Sequence, residues 1–453
     1  MKLNKIYLNP PVSPFNKEPV PHYPPQAGIR PPANLMREGQ KGDFFRIINL
    51  LQLFLLLILT FSCENYVTNI DLPSNVVEDD KLNHEDQLPY LINGVKIQFA
   101  QTQDRLSVLA DALSDAFVFA EGMPDAVFDD FRKIDRGELG FPYDNTSAEI
   151  VFADLGELRF YADDLIRRTN AITINDDKLK NESFFTGYLY GAIARYFYAT
   201  YFALDTIQGG GVIDGGSFIP ADQMYDLAIE RFLLSIEYTE QNTRLVNSLI
   251  ARCYLFKGDY TNAAIHANLG LMPGDKALQS LYYIGSGRNN YWWEEAGGNR
   301  AQFVVADRFK EYKDSEPARI KLELYEDYIP AHEEDYIYFQ GMYPDEDSPI
   351  NHISWQENHL MKAELAIRGY DSNDPIQLIN EVRSSYNLDS LTISTSNPDT
   401  LLNILIEERD KELFCRGERL PDQRRFNLWH LGAGSWQYLP ITQRERNSNP
   451  NIE

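Results

Sequence analysis

The sequence predicts a mainly α-helical fold, about four helix pairs stacked side by side and interrupted by one irregular, aromatic-rich insertion. Three observations carry this. From Gln101 onward apolar residues recur mostly at spacings of three and four, the period of an amphipathic helix, and sustained strand alternation is scarce. The candidate helices fall as neighbours joined by short polar links, and residues 272–353 break the period. At 453 residues and 43% hydrophobic, the chain has length for one large or two ordinary domains and apolar surface enough for a core, which excludes a wholly disordered protein. Its net charge of −25 is the wrong sign for gripping nucleic-acid phosphates. Three cysteines, Cys63, Cys253 and Cys415, supply neither a disulfide framework nor a Cys-based zinc site.

Residues 1–62 stand outside the fold. Nine of the 24 prolines lie in residues 1–32, a composition that builds no core, so residues 1–35 read as a disordered or mis-annotated extension ahead of a start at Met36. Arg37, Lys41 and Arg46 then precede an apolar run over 47–61, the charged and apolar regions of a signal peptide and short of the ~20 residues that span a bilayer. The run ends in Leu59-Thr60-Phe61-Ser62-Cys63, which resembles a bacterial lipoprotein box, with Thr60 and Phe61 departing from its usual Leu and small residue. Lipidation at Cys63 is expected, leaving an exported mature chain of net charge −29. Residues 63–100 then form an acidic tether and the start of the fold.

Helices are expected over 101–120, 147–170, 180–206, 222–241, 244–257, 260–271, 354–369, 374–386 and 400–417, the first eight pairing in order. In the clearest pair Ala251, Tyr254 and Leu255 face the partner helix, Gly258 makes the turn, and Tyr260, Ala263, Ala264 and Ala267 give the second helix a small face. This resembles a tetratricopeptide repeat, whose pairs bury their faces only by stacking. Cys253 and His266 then read as core or helix-face residues.

Residues 101–271 thus form the scaffold, 272–353 the insertion and 354–453 a C-terminal helical region. The insertion holds 14 aromatics between Tyr282 and Tyr343, and an irregular segment on a rigid scaffold is where a binding surface is expected. A binding surface combines flat apolar faces with a few polar groups such as amides and guanidinium. Arg288, Asn289, Asn290, Tyr291, Trp292 and Trp293 combine both, with one tryptophan expected to pack inward. Phe128 and Asp129 are a second candidate wall.

Other motifs have plainer readings. Glu408 and Glu412 share a helix face, yet Arg409, Arg416, Arg419, Arg424 and Arg425 lie near enough to hold these carboxylates, Glu418 and Asp422 as ion pairs rather than as catalytic acids. His352 and His359 lack a third ligand for a metal. Asp345, Glu346 and Asp347 read as a solvated loop rather than a calcium site, and Gly209-Gly210-Gly211 as a flexible turn rather than a phosphate cradle. No His-Glu-x-x-His, Walker loop or Gly-x-Ser-x-Gly occurs in the sequence, and no cofactor is expected.

The C-terminal third resembles a known family. Leu360-Met-Lys-Ala-Glu-Leu-Ala366, Ile379-Asn-Glu-Val-Arg383, the helix from Ile406 through Glu408, Arg409, Glu412, Gly417 and Arg419 with Asp422 and Arg425, and Pro440-Ile441 before Asn449-Pro450 are similar in order and spacing to the SusD/RagB family. Arg195-Tyr196-Phe197 resembles that family's aromatic helix, while Cys415-Arg416 and Thr442 depart from its pattern. The resemblance implies a non-catalytic outer-membrane lipoprotein of the Bacteroidetes type, held at the cell surface by its lipid. Such a protein binds glycans, or in some members peptides, for a partner SusC-like TonB-dependent transporter. A secreted glycoside hydrolase and a helical scaffold that binds only protein are the alternatives from other classes.

Overall fold

The computed structural model describes residues 79–452, apart from 122, 124–125, 138–142, 284–288, 298–299 and 327–335. The export signal, Cys63 and Arg288 therefore lie outside the described residues. Those described belong to one unit, Glu78–Glu453.

The protein is mainly α-helical. Its scaffold comprises α1 (Leu88–Leu113), α2 (Asp129–Arg136), α3 (Thr146–Ala171), α4 (Asp177–Tyr201), α5 (Ala221–Ile236), α6 (Thr243–Lys257) and α7 (Tyr260–Asn268). Two short helices, α8 (Tyr291–Glu295) and α9 (Tyr312–Ser315), lie in the insertion, followed by α10 (Trp355–Ile367), α11 (Pro375–Ser384), α12 (Pro398–Glu412), α13 (Arg419–Arg425) and α14 (Gln443–Ser448). Packing runs in sequence: α1 on α3, α3 on α4, α4 on α5, α5 on α6, α6 on α7, α7 on α10, and α10 on both α11 and α12. This is the repeat stack that the spacing predicts. Starts are marked chemically, since Asn145, Asp176, Asp259, Ser354, Asp374 and Asn397 each accept from a first-turn N–H, and Pro375 and Pro398 follow their caps at the position that needs no donor.

Several helix ends differ from expectation by a few residues, and α1 differs most, ending at Leu113 rather than 120. Helix α1 begins at Leu88, not Gln101, because Leu88, Ile92, Val95 and Phe99 already recur at helical spacing and are all buried. Gly258 closes α6 in the left-handed conformation at φ 77°, as the turn reading requires. Cys253 is buried, and His266 stacks on Tyr254 with its Nδ1 2.8 Å from Asn247 Oδ1.

The insertion is more regular than its composition suggests. Its strands are β1 (Leu278–Ser280), β2 (Phe303–Val305), β3 (Leu322–Leu324), β4 (Tyr338–Gln340) and β5 (Ile350–Ile353). β1 pairs with β5 and β3 with β4, both antiparallel, while β2 pairs with Phe117–Phe119 just after α1 and so ties the insertion to the scaffold. The triple glycine is not a flexible turn. Gly210–Gly211 pairs with Ile219–Pro220, and a Cβ at Gly210 would collide with Ile219 O while one at Gly211 would meet the Tyr198 ring at 2.6 Å. Only glycine admits that approach.

In the C-terminal region the acidic residues are structural, but several partners come from afar. Glu408 receives Arg319 at 2.6 Å and Arg383 at 2.7 Å, and Glu412 receives Arg416 at 3.3 Å. Arg409 forks onto Asp422 at 2.8 and 3.1 Å. Arg425 reaches Glu364 and Asp422, Arg419 pairs with Asp115, and Arg424 donates to carbonyls of Gln437 and Thr200. Arg252 of α6 clamps Glu357 of α10 through two bonds of 2.7 and 2.6 Å, fully buried. Removing one member of such a pair strands the other charge in the interior.

Candidate ligand-binding cleft

The candidate segment 289–293 is shaped by one asparagine. Asn290 caps α8, its Oδ1 accepting from Trp292 N at 2.8 Å and Trp293 N at 3.3 Å. Its Nδ2 donates to Ser348 O and its backbone N to Glu346 O, so the acidic turn holds this segment through backbone carbonyls. Asn290 is completely buried, which makes it a cap rather than a ligand group. Trp292 also leaves the candidate surface: it is 0% exposed, its Nε1 donates to Ser107 Oγ at 2.8 Å, and its ring lies 4.9 Å from that of Phe117. The cap aims it inward, where the small Ser107 of α1 leaves it a seat. Trp293 is half-buried.

Tyr291 and Asn289 instead line an open cleft of ≈ 670 Å³. Its aromatic faces are Tyr291, Tyr161 of α3, and Tyr283 beside Leu281 in the loop after β1; Tyr283 is 62% exposed and Tyr161 41%. Helix α1 forms the opposite wall with Ile97, Gln98, Gln101, Asp104 and Arg105, and Glu294 adds a carboxylate. Arg105 donates to Asp154 at 2.6 Å while its guanidinium lies over the Tyr291 ring at 5.7 Å, and so steadies that ring. Gln101 and Gln98 donate to the Asp154 side chain and carbonyl at 2.9 and 3.0 Å. At the base, buried Asp104 accepts from Tyr291 N at 3.0 Å. Burial pushes its carboxyl up to about 8, outweighing Tyr291 N–H and Arg105, which lower it. Burial likewise raises Asp154 against Arg105 and the glutamines.

The arrangement offers flat apolar faces across from amide and carboxyl groups, with its arginine already neutralised. That suits an uncharged, polyhydroxylated ligand.

Phe128 and Asp129 do not line this cleft. Phe128 lies under the Arg300 guanidinium at 5.0 Å, and Asp129 pairs with Arg132 and Lys133 on its own helix. His352 is buried among Phe99, Tyr196 and Phe197, and His359 pairs with Glu381. Sequence reasoning missed the α1 wall and Tyr161. A signal existed in Gln98, Gln101 and Arg105, polar residues at spacings of three and four on an otherwise apolar helix.

Solved structures share this fold. A SusD superfamily protein from Bacteroides thetaiotaomicron is 16% identical with a TM-score of 0.64, over 82% of this chain and 99% of that one. A SusD-like carbohydrate binding protein from Bacteroides vulgatus is 12% identical at a TM-score of 0.62, over 82% and 97%. A laminarin binding SusD-like protein is 15% identical at 0.61, over 81% and 99%. No curated protein matches the chain. The fold is thus that of the SusD superfamily. Residues 357–435 match the model of the SusD family, in agreement with the resemblance of the C-terminal third to SusD/RagB proteins. No described helix is long and apolar enough to cross a membrane.

Proposed function

We propose that this protein is a non-catalytic cell-surface lipoprotein that captures neutral glycans in the Tyr161, Tyr283 and Tyr291 cleft and passes them to a SusC-like TonB-dependent transporter. The observation that carries this reading is the cleft itself, with exposed aromatic faces set against the amides of Gln98, Gln101 and Asn289. Carbohydrate and laminarin binding by proteins of the same fold agree with the ligand class. The signal-like segment and Cys63 account for export and anchoring to the outer membrane. Glu408 and Glu412, the pair that hydrolysis would need, are instead taken up by arginines.

The test is equilibrium binding to a panel of neutral oligosaccharides. Tyr291→Ala and Tyr283→Ala should each weaken binding about tenfold, the loss of one stacked ring, with unchanged melting. A chain that binds no member of the panel overturns the reading.

A further inference from the structure

On the far flank of α1 a second cleft, of ≈ 760 Å³, opens between the first half of α4 and the connection from α5 to α6, and shares no lining residue with the first. Two hydroxyls form part of its wall. Thr186 and Tyr190 stand one turn apart on α4, 1% and 5% exposed, and neither side-chain hydroxyl is hydrogen-bonded to a described residue. Neither oxygen is among the fully buried unpaired polar atoms, so both open onto the cleft, although a threonine inside a helix ordinarily bonds back to the carbonyl a turn earlier. The Tyr190 ring is packed on Phe99 at 4.8 Å between centroids, so its hydroxyl has a fixed direction, and burial alone raises the phenol and keeps it an O–H.

The surroundings narrow the ligand. Leu189, Leu245 and Leu278 supply apolar surface, and Phe185 and Tyr238 aromatic edges. At the rim Lys96 pairs with Glu182 at 3.3 Å, and the lining as a whole holds two lysines against three carboxylates, which disfavours an anion. A partner with ring C–H surface and hydroxyls on both edges satisfies Thr186, Tyr190 and the leucines together.

We infer that this cleft is a second binding site for a neutral saccharide unit, in which Thr186 and Tyr190 are the recognition groups. It takes its ligand class from the reading above but stands on separate residues, so the two can fail separately.

The experiment is calorimetric titration of the full chain with neutral hexasaccharides of defined linkage, repeated on Tyr190→Phe, Thr186→Val and Tyr291→Ala. Both α4 variants are isosteric and remove only unpaired hydroxyls, so melting should hold or rise. The expected result is two sites per chain, one of them weakened about tenfold by either α4 substitution and untouched by Tyr291→Ala. A single site lost in Tyr291→Ala and unmoved by Tyr190→Phe overturns the second site and leaves the first. A single site with the opposite response supports the α4 site and overturns the first. Failure of every hexasaccharide to bind overturns both.

Discussion

Replacing Trp292 with alanine removes the largest fully buried side chain of the protein from between α1 and the insertion. Emptying such a seat costs about 3 to 5 kcal/mol, because the surrounding core collapses only in part. The indole also donates to Ser107, whose own hydroxyl donates onward to Asp104 O at 2.9 Å. Trp292→Phe keeps most of the ring against Phe117 and Tyr343 and loses that bond, so its cost is smaller, roughly 1 to 2 kcal/mol. Urea unfolding followed by far-ultraviolet circular dichroism measures both. Glycan binding by Trp292→Phe should match wild type, since Tyr291 and not Trp292 lines the cleft. A loss under about 1 kcal/mol in Trp292→Ala, or abolished binding at full stability in Trp292→Phe, would refute this placement.

Gly258→Val should cost about 1 to 2 kcal/mol through backbone strain alone, since the turn is left-handed and a Cβ there meets open space; an unchanged melting temperature would contradict it. Stability should fall as pH rises from about 5 to about 8, because burial raises the carboxyls of Asp104 to about 8, Glu295 and Glu418 to about 7 and Asp135 to about 6, so the folded chain holds protons that the unfolded chain has released. Asp422 and Glu364, held low by Arg409 and Arg425, act oppositely and lose their contribution in strong acid; urea midpoints measured from strong acid up to about pH 8, with Asp104→Asn flattening the alkaline slope, check both signs. Cys63→Ala should move the protein from the membrane to the soluble fraction, and a native N-terminus upstream of Cys63 would exclude lipidation there.

Much of the scaffold was legible because its causes are local. A helix writes its buried face into every third or fourth residue, and Gly258 announces its turn by lacking a Cβ. The carboxylates at 408, 412 and 422 could be assigned to ion pairing from the arginines beside them, and Arg416 does reach Glu412 and Arg409 and Arg425 reach Asp422; Glu408 instead takes Arg319 and Arg383 from other elements, and no spacing rule connects residues that far apart in the chain.

The candidate site was legible only as a region. Composition marks 288–293 as aromatic and polar, yet it is silent on the sense in which a capped five-residue helix is rolled. Asn290 and its bonds to Ser348 and Glu346 decide that, sending Trp292 to Ser107 and leaving Tyr291 at the cleft. Likewise the glycines at 209–211 look like slack until Tyr198 and Ile219 are seen pressed against them. The helical period, the turn at Gly258 and the pairing of Asp422 with Arg409 and Arg425 could be read from the chain, because near neighbours set them. Tertiary structure alone decided which aromatics meet solvent and which helix walls the cleft, because burial is settled by residues that are neighbours only after the chain has folded.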